Sequence, residues 1–474
     1  MSERHAGRVC TLKLRSIVLL PLSALAWRPG AAQRPPTTSH PALALIHAIV
    51  IDGTDQAPRT DMTVVIDGGR ITLVAPSAQT QPPHAARVVD ATGKFVIPGL
   101  WDMHVHLSQW PPTALPLLVA NGVTGVRDMG SPLTAVAAWR RAIESGTTTG
   151  PRIVAAGAIL DGPGHLSPER IAISSAAEGR HAVDSLADAG ADFIKVYEYL
   201  PRDAFLAIAA EAHARKLDVV GHVPRSVGAA AAAAAGQRSV EHLSGVPLSC
   251  PFSMRMAAHT PGMSGFMPPC GDDRARADVF SRFKASGTWV TPTLVAYRGA
   301  ARATDGSALG AGAEPRMRYV TAELRRHWDE QIAKWPKLVP SGYRRGLAEM
   351  YTRVARAAHA AGVSMLAGSD LGNTLVFAGS GLHDELELLV GAGLSPLEAL
   401  QSATSGPARF LGIADSIGTI VTGKTADLVV LDADPLADIR NTRRIFAVVR
   451  NGTLLDRAAL DRMMSNAAVG TVDR

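Results

Sequence analysis

Eight short apolar runs, separated mostly by helix-patterned stretches, constrain the fold of this 474-residue chain more than any other feature. They are Val96–Val105, Gly125–Asp128, Ile153–Ala156, Phe193–Tyr197, Val219–His222, Val240–His242, Trp289–Leu294 and Met365–Gly368. Between them lie stretches such as Ala204–Arg215 and Tyr343–Ala361, with apolar residues at helical spacing. Strands that are apolar throughout and alternate with helices are buried on both faces, the pattern of a parallel sheet. Eight of them predict a (β/α)8 TIM barrel over residues 98–419. With 47% apolar and 19% charged residues, the chain has enough apolar material to fill one. The alanine run Ala229–Ala235 reads as a helix packed tightly on the barrel.

The two ends have a different texture. Ala42–Ile51, Met62–Ile66, Ile71–Val74, Arg87–Val89 and Phe95–Ile97 are short β-like runs with turn signals at Asp52-Gly53 and Asp67-Gly68-Gly69. The same texture returns at Gly418–Val421, Asp427–Leu431 and Phe446–Val449. A small β-sandwich domain built from residues 33–97 and 420–474 is therefore expected. One segment breaks the strand–helix rhythm: residues 244–288 form an insertion rich in Pro, Gly and Met, a length that points to a functional loop or lid. The helical stretch Arg316–Leu338, with Trp328 and Trp335, is a second candidate to overhang the barrel mouth.

Charge excludes one class of function. The formal net charge is +6, but Arg4, Arg8, Lys13, Arg15 and Arg28 against Glu3 put most of it in residues 1–32. The remainder, about +2, is no footprint for nucleic acid. Residues 1–32 read as a secretory signal peptide, with an apolar stretch Ile17–Trp27 too short to span a bilayer comfortably and small residues Gly30-Ala31-Ala32 after it. The expectation is an exported protein, periplasmic or secreted, with no stable membrane span after signal removal. Cys250 and Cys270 would then meet an oxidising compartment, as a disulfide or as two free thiols.

In a barrel of this kind, functional groups sit at the C-terminal ends of the strands. The first run ends in Asp102-Met103-His104-Val105-His106, the fourth holds Lys195, the fifth ends at His222, the sixth at His242, and the eighth runs into Gly368-Ser369-Asp370. His-x-His on a strand sends both imidazoles to one face, because side chains alternate. Two imidazoles on one face suit zinc or a similar ion. Each residue has a plain structural alternative. Lys195 could be an ion-pair partner and Asp370 a helix cap, but their placement in chain order on separate strand ends makes coincidence a poor account.

These residues, with Ile97-Pro98-Gly99-Leu100-Trp101-Asp102-Met103-His104, Glu241-His242-Leu243, Ala367-Gly368-Ser369-Asp370 and Gly423-Lys424-Thr425-Ala426-Asp427-Leu428, resemble the amidohydrolase superfamily. The likeness is to its binuclear-metal branch, near Xaa-Pro dipeptidases and imidazolonepropionase-like proteins. That resemblance implies two divalent metal ions, usually Zn2+, bridged by carboxylated Lys195. His104, His106 and Asp370 would hold one ion, and His222 and His242 the other. It further implies a metal-bridging hydroxide as nucleophile, with Asp370 as the catalytic base and then acid. His165, in Gly162-Pro163-Gly164-His165, matches a loop His that contacts the substrate carbonyl and assists catalysis in relatives. Relatives often carry a Tyr just after the fifth-strand His, whereas this chain reads His222-Val223-Pro224-Arg225. Arg225 is therefore a candidate to meet a substrate carboxylate, and Tyr197, two residues beyond Lys195, is a candidate to face the same pocket. His383, at the start of a later helix, is as well explained by a cap or surface role.

The function so implied is metal-dependent hydrolysis of an amide bond, in an N-acyl amino acid or a peptide-like small molecule. Hydrolysis of a cyclic amide or lactone, as in imidazolonepropionase-like proteins, is the alternative, and a non-catalytic metal-binding barrel is the reading of a different class. Relatives often assemble, so a homo-oligomer is also expected.

Overall fold

The computed structural model describes residues 42–164, 167, 169–248, 270–304, 314–334 and 342–468. The expected signal segment, His165, Cys250, Trp335 and residues 249–269 of the central insertion lie outside the described residues. Cys270 is disulfide-bonded. All elements below belong to the compact unit His40–Arg474.

The chain ends share one eight-stranded sheet. Its path runs from Thr453–Leu455 through Ile445–Arg450, Leu428–Leu431, Phe95–Pro98, Leu43–Val50 and Arg59–Asp67 to Arg70–Pro76, while Arg87–Asp90 pairs alongside Leu43–Val50. The two ends meet where Val429 lies opposite Ile97 in an antiparallel pair. Alternating inward residues, among them Leu45, Val64, Val96, Val430 and Val449, make one buried apolar cluster. The expected run Gly418–Val421 is not a strand; it is a bend, with Gly418 at φ +86 and Ile420 N–H donating to the Asp52 carbonyl.

Seven barrel strands follow in chain order: Leu100–Val105, Val123–Asp128, Arg152–Ala155, Ile194–Val196, Val219–Gly221, Gln237–Glu241 and Trp289–Thr291. They pair in parallel as Leu100–Val105 with Val123–Asp128 with Arg152–Ala155, and from Ile194–Val196 onward through Trp289–Thr291. Between the third and fourth, Asp192 N–H donates to the Ala155 carbonyl at 2.9 Å. The eighth position is an extended segment, residues 363–371, rather than a regular strand. It bonds both neighbours: Leu366 N–H to Val290 O at 2.9 Å on one side, Met103 N–H to Ala367 O at 2.9 Å and Asp370 N–H to His104 O at 2.7 Å on the other. The ring of eight is thereby closed. Gly368 permits this closeness, since a Cβ there would lie 2.8 Å from the His104 Cβ and 2.6 Å from Thr291 Cγ2.

Helices Arg202–Ala214, Ala229–Ala234 and Tyr343–Ala360 occupy expected positions. The seventh strand is shorter than its sequence run, because Leu294 already begins the helix Leu294–Thr304. Two further short strands, Ile159–Asp161 and Arg170–Ala172, extend the sheet beside the fourth strand. Among the described residues no helix is long and apolar enough to cross a membrane.

Candidate metal centre

Strand ends carry the sequence-selected side chains to one place. His104 is fully buried and lies with its Nε2 3.3 Å from Asp370 Oδ1, while His106 Nε2 is 3.6 Å from the same oxygen. His242 approaches the other carboxylate oxygen, with Nδ1 3.6 Å from Asp370 Oδ2. Ring centroids of His104 and His242 are 4.6 Å apart, and those of His242 and His222 are 4.8 Å apart. Ligand-capable atoms of His104, His242 and Asp370 all lie within 4.8 Å of one another. Lys195 belongs to the same group: its charge acts on Asp370 and on the four histidines His104, His106, His222 and His242.

The backbone is strained where it delivers these ligands. His242 and Asp370 adopt left-handed φ values of 58° and 57°, and Leu243 and Thr293 share that region. Such conformations are rare for non-glycine residues and persist where surrounding structure enforces them, often at functional sites. Here the eighth segment's bond from Asp370 N–H to His104 O supplies part of that enforcement.

Each of three imidazoles has a close partner at Nδ1. His104 Nδ1 lies 2.8 Å from Glu241 Oε2, His222 Nδ1 lies 3.1 Å from Glu198 Oε1, and His242 Nδ1 lies 2.6 Å from Thr293 Oγ1. With a carboxylate as partner, His104 and His222 donate through Nδ1, which leaves Nε2 as the available ligand atom. Burial drives the His104 and His242 pKa values well below the usual imidazole range, helped by neighbouring cations, so both rings are neutral as metal binding requires.

The supports reach further back. Glu241 accepts two bonds from the Arg127 guanidinium at 2.9 Å and one from Ser239 Oγ at 2.5 Å. Asp102 accepts from Ser369 N–H at 2.8 Å and Ser369 Oγ at 2.5 Å, fixing the turn that presents Asp370. Glu198 is gripped by Arg225 at 2.8 and 3.1 Å. Burial alone would raise the Glu198 carboxyl; bonds from His222 and Arg225 outweigh it and bring its pKa down to about 2. Glu241, Glu198, Arg127 and Thr293 were given no role from sequence. The signal for Glu241 was visible beside His242, whereas Arg127 and Glu198 act through contacts across strands that spacing does not reveal.

The other candidates sit around or beyond this cluster. Tyr197 is buried with its ring 3.9 Å from His222 and beneath the Arg170 guanidinium at 4.1 Å. Arg225 stands behind His222, bonded to Glu198. His383 is buried, bridging Thr442 Oγ1 and the Asn121 carbonyl at 2.9 Å each, which is a packing role.

The donor set fits metal ions. Among the described residues, His104 Nε2, His106 Nδ1 and Lys195 Nζ are buried with no hydrogen-bond partner. Buried polar atoms normally have partners, so this concentration of exceptions is informative. Desolvation pulls the Lys195 pKa down to about 8, although Glu241 and Asp370 oppose it. Desolvation thus weakens the ammonium form that an exposed lysine would keep. For Asp370, burial raises the carboxyl to about 7 while Lys195 pulls it down. A carboxyl titrating near 7 is suited to moving a proton in either direction.

A family model described as the amidohydrolase family matches residues 95–455. Bottromycin amidohydrolase is 27% identical, covering 90% of each chain with a TM-score of 0.69. A prolidase solved with N-methylphosphonate-L-proline is 25% identical over 88% of this chain and all of its own, at a TM-score of 0.65. A Xaa-Pro dipeptidase with methionine in its active site, at 23% identity and a TM-score of 0.64, shares the fold. A shorter match, 37% identical over 76 residues, is to adenine deaminase 4 of Rhizobium meliloti, and it spans 12% of that protein's length.

Proposed function

This chain belongs to the amidohydrolase family, and from that premise we propose that it cleaves an amide bond in an N-acyl amino acid or peptide-like small molecule, using two divalent metal ions. One observation carries this reading: Lys195 Nζ is fully buried, without a hydrogen-bond partner, among His104, His106, His222, His242 and Asp370. An ammonium there would repel cations, whereas a carbamate on the same nitrogen would offer two oxygens to bridge them. His104, His106 and Asp370 would hold one ion and His222 and His242 the other, with Zn2+ the ion that this nitrogen-rich set favours.

When bound, the ions would lower the pKa of water and polarise the amide carbonyl. Asp370 would accept a proton at its carboxylate and return it to the leaving amine, work its pKa of about 7 permits. Glu241, Glu198 and Thr293 would keep His104, His222 and His242 turned toward the ions. Kinship with a prolidase and an amidohydrolase supports an amide rather than a lactone. Tyr197 and His165 are the proposed substrate contacts, and export through residues 1–32 is part of the same proposal.

Elemental analysis of purified protein tests the metal count. Two ions per chain, falling in Lys195→Ala together with hydrolysis of N-acyl amino acids, is the expected result. One ion per chain, with Lys195→Ala fully active, would instead favour the cyclic-amide alternative.

A further inference from the structure

His242 is delivered to the cluster in its own way. His104 gives its carbonyl to the barrel ladder, where it accepts the Asp370 N–H at 2.7 Å. His242 stands one residue past the strand Gln237–Glu241, and its N–H still joins the ladder, donating to Thr291 O at 2.8 Å. Its carbonyl does not. His242 and Leu243 both take left-handed φ values, 58° and 53°, and the chain turns away. Among the described residues, the donor that reaches this carbonyl is the Tyr297 hydroxyl, at 3.1 Å. A main-chain carbonyl that leaves a ladder needs another donor, and a left-handed non-glycine residue persists where its surroundings hold it. One hydroxyl answers both needs.

The ring of His242 is tied to the same stretch of chain. Its Nδ1 lies 2.6 Å from Thr293 Oγ1, and the Thr293 hydroxyl donates to the Pro292 carbonyl at 2.8 Å. A hydroxyl has one proton to give. With that proton on Pro292, Thr293 Oγ1 accepts from His242 Nδ1–H, and Nε2 keeps a bare lone pair. Thr293 and Tyr297 thus hold two ends of one residue, its ring and its carbonyl.

The helix that carries Tyr297, Leu294–Thr304, is anchored in turn. Glu385 Oε2 accepts the Val295 N–H at 2.8 Å in its first turn, and Arg298 pairs with Asp384 at 2.8 Å. Gly299 lets the helix press on the loop just past Asp370, since a Cβ there would lie 2.5 Å from Thr374 O. The Tyr297 ring lies flat against Tyr351, with centroids 4.1 Å apart and planes 17° from parallel. A hydroxyl on a ring so fixed has little freedom left to lose when it bonds.

We propose that Tyr297 is a positioning residue for the metal ion assigned to His222 and His242. It meets neither ion nor substrate. Through the His242 carbonyl it fixes the left-handed turn, the turn aims the imidazole, and Thr293 sets which ring nitrogen is bare. Without the hydroxyl, the carbonyl loses its donor and φ is free to relax toward the ordinary negative region, taking the ring with it. The inference rests on the two-metal reading for the word ion, whereas the bonds that hold His242 belong to the chain itself. Sequence gives no hint of the pairing, because the two residues are 55 positions apart.

The test is zinc affinity of the full chain, read by competition with a chelator of known strength, with thermal melting alongside. Tyr297→Phe keeps the ring stack and removes only the hydroxyl. One of the two ions should then bind roughly 10–100-fold more weakly, the usual cost of losing a group behind a metal-binding histidine, while the other is unchanged. Tyr297→4-aminophenylalanine restores an N–H donor, a weaker one than a phenol, and should bind that ion with an affinity between those of Tyr297→Phe and wild type. Arg298→Gln is the control: it loosens the same helix without touching His242, so it should lower Tm and leave both affinities as they were. The inference is overturned if Tyr297→Phe binds both ions as wild type does. It is also overturned if Arg298→Gln weakens zinc equally, because helix stability and not the hydroxyl would then be responsible. Should Tyr297→Phe not fold, the 4-aminophenylalanine variant carries the test, and affinities equal to wild type overturn the inference. A wild-type chain that binds no zinc fails the two-metal reading itself, whereas zinc bound by wild type and unaltered in Tyr297→Phe fails this inference alone.

Discussion

The barrel interior around Arg127 and the barrel opening around Lys195 each enclose a cation with almost no exposed surface, and they treat it in opposite ways. Arg127 reaches from the second strand across to the sixth and seventh. Its guanidinium donates to Met103 O, Ser239 Oγ, both Glu241 oxygens and Thr291 Oγ1, all within 3.2 Å. Lys195 Nζ donates to nothing among the described residues. A buried charge is expensive unless paired and hydrogen-bonded. The first region meets that requirement with protein groups and is complete as it stands. The second leaves it unmet among the described residues.

If that contrast is correct, replacing the two cations should damage different properties. Lys195→Ala removes the nitrogen on which the proposed carbamate would form, so we expect loss of bound metal and essentially all hydrolysis with little change in Tm. Arg127→Met should do the reverse in kind, lowering Tm strongly because Glu241 is stranded, with activity falling only as His104 loosens. Elemental analysis and thermal melting on both proteins read this directly. Equal destabilisation by the two substitutions would erase the distinction. Next in size stands Asp370→Asn, which should lower kcat by roughly 10²–10⁴-fold, the usual worth of proton transfer by a positioned group. Substrate KM should change far less. A loss confined to KM would make Asp370 a binding residue only.

The sequence made the opening legible and the interior opaque, for a physical reason. His104, His106, Lys195, His222, His242 and Asp370 are set by strand periodicity, because an end-of-strand residue in a barrel has one place to go. Their supports depend on which strands lie across the barrel and on how far a side chain reaches. Arg127 and Ser239 are 112 positions apart, and nothing in their spacing joins them. The same limit explains the eighth strand. Met365–Gly368 reads as apolar and extended, yet the segment forms single bridges because its glycine lets it press against His104.

Glu241 belongs to both regions, and changing it should disturb both at once. One of its faces neutralises Arg127 and the other orients His104. Glu241→Gln keeps the shape but removes the charge, so Arg127 is left a buried cation without its counter-ion. Breaking a buried pair in this way costs roughly 3–5 kcal/mol of stability. Losing the group behind a metal-binding histidine also weakens metal affinity by roughly 10–100-fold. Zinc competition with a chelator and denaturant unfolding measure the two effects. Should stability fall while metal affinity holds, Glu241 serves the interior alone, and His104 is oriented by something else.

Glu385 offers the mildest and most discriminating probe, because it solves the buried-charge problem in a third way. It is fully buried; its Oε2 accepts the Val295 N–H at 2.8 Å, while Oε1 has no partner among the described residues. Desolvation raises its pKa from the ordinary 4.5 to about 8, against the opposing bonds from Val295 and Leu294. A carboxyl held this high keeps its proton in the folded state after the unfolded chain has released it. Its effect on stability is therefore a loss as pH rises through the window from 4.5 to about 8. Glu385→Gln offers the same acceptor to Val295 and carries no charge at any pH. The variant should match wild type near the lower end of that window and exceed it in Tm by a few degrees above the upper end, since each kcal/mol moves Tm by roughly 1 °C in a chain of this length. A Tm difference that stays constant across the window would mean that Glu385 is ionised throughout, and that this interior tolerates an unpaired carboxylate as well as it tolerates a paired arginine.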